Sequence, residues 1–117
     1  MANFVATPTR TFTASGALSQ YRRVHLDGSG QLEYCSAAHT DCVGTLETDA
    51  LAADEEVAVR LTTAQGTQIM IASKAIAKGA AVYAAASGKI SDSGTVAVGE
   101  ALEAATANND AIEVLPA

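Results

Sequence analysis

The stretch Arg23-Val24-His25-Leu26-Asp27-Gly28-Ser29-Gly30-Gln31-Leu32-Glu33-Tyr34-Cys35 decides the fold. Its centre, Asp27-Gly28-Ser29-Gly30, is a strong turn. Both flanks are short and suit strands, so the stretch predicts a hairpin. The same plan returns at Ser87-Gly88, between Ala81-Val82-Tyr83-Ala84 and Lys89-Ile90-Ser91. Further out, Val57-Ala58-Val59-Arg60-Leu61 and Ala111-Ile112-Glu113-Val114-Leu115 alternate in polarity. Period two at short spacing points to strands rather than helices. Two segments, Ala50 to Glu56 and Ala101 to Ala107, compete with that reading. They are rich in Ala, Glu and Leu, so each is open to a single helical turn or a bulged bend.

The two hairpins belong to an internal repeat. A shift of 58 residues lays Phe12-Thr13-Ala14-Ser15-Gly16-Ala17-Leu18 on Met70-Ile71-Ala72-Ser73-Lys74-Ala75-Ile76. The same shift lays Val24 on Val82, Ser29-Gly30 on Ser87-Gly88, and Leu32 on Ile90. Shortening it by three pairs Val43-Gly44 with Val98-Gly99, and Val57 and Val59 with Ile112 and Val114. Leu46-Glu47 and Leu102-Glu103 align after one further residue of slippage. The recurrence in one order predicts a duplication. A half of that size with few large side chains is marginal alone. Two halves packed on each other would bury the apolar faces and cover the sheet edges. The expected fold is all-β: a small β-barrel or β-tulip built from two similar halves, with short helical turns allowed. Residues 1–10 are expected as an N-terminal arm. Residues 11–117 form one domain, with pseudo-repeats over 11–62 and 69–117.

Composition narrows the function. The chain has 117 residues and a formal charge of −6, with 49% hydrophobic residues, much of it alanine, and only 4% aromatic. Its seven basic residues are scattered, apart from the Arg22-Arg23 pair. Phosphate binding needs a basic stripe, so nucleic acid is not an expected partner. No segment has the roughly 18 apolar residues of a membrane span, and no basic stretch leads into an apolar run near the start. Synthesis in a cytoplasm-like compartment follows, and there Cys35 and Cys42 are expected as free thiols.

The chemistry-bearing residues are few. Cys35, His39 and Cys42 place three soft ligands within eight residues, and His25 would complete a four-coordinate zinc site. The spacing matches no standard zinc pattern, and a Cys35–Cys42 disulfide is the other alternative to free thiols. No metal or cofactor is therefore expected. Glu47, Asp49, Asp54, Glu55 and Glu56 read as a solvated acidic face rather than as acid-base machinery. No nucleophile elbow, phosphate loop or dinucleotide fingerprint occurs, so the chain is not read as an enzyme. Arg22 and Arg23 form the densest positive spot. They are candidates for pairing with an acidic protein surface, weighed against the commoner reading of one exposed and one partly packed arginine. Tyr21, Tyr34 and Tyr83 are candidate interface anchors, with a core or rim position favoured for Tyr83.

The second half carries a further pattern. Ala75-Ile76-Ala77-Lys78-Gly79-Ala80-Ala81-Val82-Tyr83 leads into Gly88-Lys89-Ile90. Val98-Gly99-Glu100-Ala101-Leu102-Glu103-Ala104-Ala105 and Asp110-Ala111-Ile112-Glu113-Val114-Leu115 follow. This resembles a family of small phage capsid cement, or head decoration, proteins. The opening Met1-Ala2-Asn3-Phe4-Val5 is similar too. The resemblance covers residues 70–117 well and the first half weakly, and Tyr34 to Asp41 departs from it.

The resemblance implies a trimer at local three-fold positions on the outside of an expanded head, with the major capsid protein as partner. It also implies a virion component that stabilises the capsid lattice. Phe4 and Val5 of the arm, with Arg10, Arg22 and Arg23, are the expected capsid or subunit contacts. A tail or spike adaptor is the rival from the same class. A small metal-binding or enzymatic barrel using Cys35, His39 and Cys42 is the rival from another.

Overall fold

A computed structural model describes residues 9–62 and 66–116. Among these residues ten strands form two five-stranded antiparallel sheets, one per half. The first half contains β1 (Thr9–Thr13), β2 (Arg23–Leu26), β3 (Leu32–Tyr34), β4 (Gly44–Leu46) and β5 (Glu56–Leu61). The second contains β6 (Gln68–Ile71), β7 (Ala81–Ala84), β8 (Ile90–Ser91), β9 (Ala97–Ala101) and β10 (Ala111–Pro116). The strand orders are β1-β5-β4-β2-β3 and β6-β10-β9-β7-β8, the same topology written twice. The fold is therefore all-β and made of two similar halves, as the repeat implies.

Each sheet curls shut by the same bonds. Ala14 bridges Leu32 in the first half and Ala72 bridges Ile90 in the second. The Ser15 hydroxyl donates to the Leu32 carbonyl at 2.6 Å, and the Ser73 hydroxyl to the Ile90 carbonyl at 3.0 Å. Leu18 bridges Ala50, and Ile76 bridges Ala105. These contacts fold the chain back over its own sheet.

The apolar faces are consequently closed within each half, not against the other half. Ala14, Leu18, Val24, Leu32, Leu46, Ala50, Val57 and Val59 form one core. Met70, Ala72, Ile76, Val82, Ile90, Val98, Ala101, Ile112 and Val114 belong to a second. The expectation that the halves bury each other's apolar faces is thus corrected. Curling lets small buried residues such as Ala14, Ala50, Ala72 and Ala105 cover the sheet that carries them.

Two further expectations change. Leu46 aligns structurally with Ala101, not Leu102: Leu46 donates its N–H to the Arg22 carbonyl and Ala101 to the Ala80 carbonyl, from the residues just before β2 and β7. No extra slippage exists, and the Leu-Glu pairs are a coincidence of composition. The segments Ala50 to Glu56 and Ala101 to Ala107 are bends rather than helices. A carboxylate organises each: Glu55 accepts the Leu51 N–H at 2.7 Å, and Asp110 accepts the Thr106 N–H at 2.8 Å. Asp54 and Asn109 then leave the bends at φ +69° and +75°, a conformation these residue types tolerate better than most. Among the described residues the one helical turn is a 3₁₀ turn over Ala86–Gly88, in the second hairpin.

A candidate docking site at the junction of the halves

The junction is polar, and it gathers several of the residues singled out from the sequence. Strand β2 has Val24 in the core, so Arg23 and His25 face the other side of the sheet. Both are nonetheless buried, at 8% and 6% exposure. The cover is the segment from Tyr34 to Asp41, the stretch that departs from the family resemblance. Strands β3 and β4 flank β2, so a chain leaving β3 must cross β2 to enter β4. Cys35 and Cys42 tie the two legs of that crossing in a disulfide, with their Cα atoms 6.3 Å apart. The expectation of free thiols is corrected. The crossing brings the two legs within bridging range, which spacing along the chain does not reveal.

The disulfide also removes both sulfurs as metal ligands, so a Cys35/His39/Cys42 metal loop does not exist. His25, His39 and Asp41 still offer donor atoms within 4.8 Å of one another. However, His39 Nδ1 accepts the Ser36 N–H at 2.7 Å, which places the neutral ring's proton on Nε2. Neither ring nitrogen of His39 is then a ready ligand. His25 Nε2 lies 3.0 Å from Glu33 Oε1, and its Nδ1 lies 3.5 Å from Asp41 Oδ2. Neither approach is aligned as a hydrogen bond, so both are close polar contacts only. The His25 and His39 rings stack at 4.0 Å between centroids. The chemistry of this group is that of a buried imidazole held between two carboxylates.

Arg23 is different. Among the described residues no carboxylate lies within ion-pair distance of it, and its Nη1 is sealed off without a hydrogen-bond partner. Burial holds its guanidinium below the usual pKa. It borders an open cleft of about 240 Å³ between the halves, with Thr40, Thr45, Gln68, Met70 and Val98 among the other walls. Thr45 and Gln68 satisfy each other: the Thr45 hydroxyl lies 3.1 Å from Gln68 Oε1, and Gln68 Nε2 donates to the Leu61 carbonyl at 2.9 Å. No sequence signal marks Gln68 or the cleft, because its walls come from strands of different halves.

Arg22 spans the junction. Its Nη1 donates to the Ser87 carbonyl at 3.1 Å, and its guanidinium sits 5.1 Å from the centre of the Tyr34 ring. Tyr34 in turn accepts the Ser19 N–H at 2.7 Å. Gly88 completes the contact, donating its N–H to the Cys35 carbonyl at 2.8 Å. A Cβ on Gly88 would stand 2.5 Å from the Arg23 carbonyl oxygen. Arg10 is exposed on the edge strand β1, 5.1 Å from the centre of the Phe12 ring. Tyr83 is half-buried. Phe4, Val5 and most of the expected N-terminal arm lie outside the described residues, while Thr9 and Arg10 belong to β1.

The class that the fold and junction define is a duplicated, curled β-protein with a structured polar junction. The comparisons supply its family. The sequence profile of the phage cement proteins matches residues 6–116, and the chain belongs to that family. Among curated proteins no relative matches it. Among solved structures it resembles the N base of the head fiber protein gp8.5 of bacteriophage phi29. That likeness has a TM-score of 0.74 at 14% identity, over 93% of this chain and 94% of the other. At that identity the likeness speaks for the fold. Family membership carries a structural role associated with the phage capsid.

Proposed function

We propose that this protein is a non-catalytic cement protein that binds the outside of the expanded phage head and stabilises the lattice of major capsid protein. The match of the cement family across residues 6–116 carries the reading. The description of the structural neighbour as a head fiber base supports an outer position. The mechanism is linkage. A protein that binds the expanded lattice, but neither its precursor nor its dissociated subunits, lowers the free energy of the expanded state alone. A homotrimer at local three-fold positions would link neighbouring subunits, so each contact can be modest while their sum is strong. Phe4, Val5, Arg10, Arg22 and Arg23 are the contact residues we assign, with residues 1–10 as an arm able to add a strand to a capsid loop.

The test is co-sedimentation of the purified protein with undecorated heads of its own phage, expanded and unexpanded, alongside head melting. Saturable binding to expanded heads only, with a higher melting temperature, is expected. Binding to neither form, or equal binding to both, overturns the reading.

A further inference from the structure

We propose that the cleft beside Arg23 is a carboxylate-binding site, and that its occupant is one Asp or Glu side chain of the capsid protein. This rests on the cement reading and names the chemistry of its contact. The argument starts from a cost. An arginine that is more than nine-tenths buried, with one guanidinium nitrogen closed off and lacking any partner, is expensive to fold. Among the described residues no acid lies within ion-pair distance of it, and the nearby Glu33 and Asp41 both attend His25. The corresponding residue of the second half is Ala81, so the repeat does not require an arginine here.

What the fold does provide is access. Arg23 lines the cleft of about 240 Å³, which has room for a single side chain, and a carboxylate there would reach the closed-off Nη1 as the arginine turns toward the cleft. Thr45 and Gln68 are already bonded to each other and to Leu61, which leaves Arg23 as the feature without a counterpart. A planar cation suits a carboxylate, which can meet it through paired hydrogen bonds. Desolvated in such a cleft, the pair gains more than an exposed one. The capsid protein is the donor because the cement reading makes Arg23 a capsid contact, and a second copy of this chain as donor is an outcome that sedimentation separates.

The experiment compares wild type with Arg23→Met and Arg23→Lys in three assays: thermal melting, sedimentation velocity and co-sedimentation with expanded heads. Arg23→Met keeps the stem and removes the charge, so its melting temperature should equal or exceed that of wild type. Its affinity for heads should fall about tenfold or more, the size of one charge-assisted hydrogen bond. Arg23→Lys should fall between the two. Without any variant, sodium acetate should raise the melting temperature of wild type above that in sodium chloride of equal ionic strength, and should not do so for Arg23→Met.

Failure of wild type itself to bind heads would sink the cement reading. Wild-type binding that Arg23→Met matches would leave that reading standing and overturn the cleft proposal. Loss of self-association in Arg23→Met with head affinity unchanged would also overturn it, in favour of a second copy as occupant. An acetate effect with unchanged head binding would overturn it too, in favour of a free anion.

Discussion

The turn after β2 and the turn after β7 carry the same Ser-Gly pair, yet they meet different surroundings. At Gly30, with φ +80°, an added Cβ would touch nothing within 4 Å. At Gly88, with φ +73°, it would strike the Arg23 carbonyl. The first turn ends in solvent, and the second is wedged against the first half. A duplication supplies two copies of one solution to strand pairing, and the junction then changes one copy. The same holds across the sheet. Arg23 and His25 are buried beneath a disulfide-tied crossing, while their counterparts Ala81 and Tyr83 are exposed and half-buried beside a shorter connection. What the halves share is fold. Where they differ is where a partner or a ligand would be read.

Glycine substitutions test both sides of this comparison and carry the largest expected effects. Gly44 and Gly99 occupy equivalent places, and a Cβ there would collide with the Arg60 carbonyl oxygen and with that of Leu115, respectively. Backbone cannot move aside as a flexible side chain would. Gly44→Ala and Gly99→Ala should each cost about 3 kcal/mol or more in urea unfolding, and by similar amounts. Gly88→Ala should cost nearly as much, whereas Gly30→Ala pays only the left-handed conformation, about 1 kcal/mol. Equal losses for Gly30→Ala and Gly88→Ala would show that the wedge does not exist. A wild-type midpoint for Gly44→Ala would break the equivalence of the halves.

Much of this was legible in the sequence, for a physical reason. Turns and strand pairs are local, so Ser29-Gly30 and Ser87-Gly88, Gly44 and Gly99, and the pairs Val57/Val59 and Ile112/Val114 all announce themselves. The structure returns them at the registers read from the repeat. Closure of each half on itself was not legible, because the alanines that do it carry no period. The Leu46-Glu47 and Leu102-Glu103 alignment misled because it matched residue types, whereas the fold matches backbone bonds and fills the Leu46 position with Ala101. The disulfide and the cleft depend on which strands become neighbours, and spacing along the chain does not encode that. Arg22 and Arg23 stood out as a pair, but only the fold separates a residue tied to Ser87 from one left without an acid.

The disulfide offers a middle-sized test, since only the first half has one. Cys35 and Cys42 are seven residues apart, so the loop they close is short. Closing such a loop should contribute about 2 kcal/mol through the unfolded chain. The double variant Cys35→Ser, Cys42→Ser should lose that amount, and reduction of wild type should match it. Hydrogen exchange should report where. Amides of β2, β3 and β4 should lose protection while those of β7, β9 and β10 keep most of theirs, because the cores are separate. Uniform loss across both sheets would mean that the halves unfold as one unit despite their separate cores.

The smallest effect concerns the two bends, where the halves use different acids for one task. Asp110 accepts the Thr106 N–H at 2.8 Å, the Thr106 hydroxyl at 2.8 Å and the Ala107 N–H at 3.1 Å. Those bonds, the Thr106 N–H first, hold its carboxyl below the usual value. A carboxyl whose folded pKa is depressed binds fewer protons folded than unfolded. Its contribution is therefore complete above the unfolded pKa of about 3.9 and is lost as pH falls through the folded one. Asp110→Asn should lower the melting temperature modestly at pH 7. The gap from wild type should persist down to about pH 5 and then close on further acidification, since a protonated carboxyl and a carboxamide accept these bonds comparably. A gap that stays constant from pH 7 to pH 2 would mean that the charge contributes nothing. Asp110 would then hold its bend by the shape of its hydrogen bonds alone.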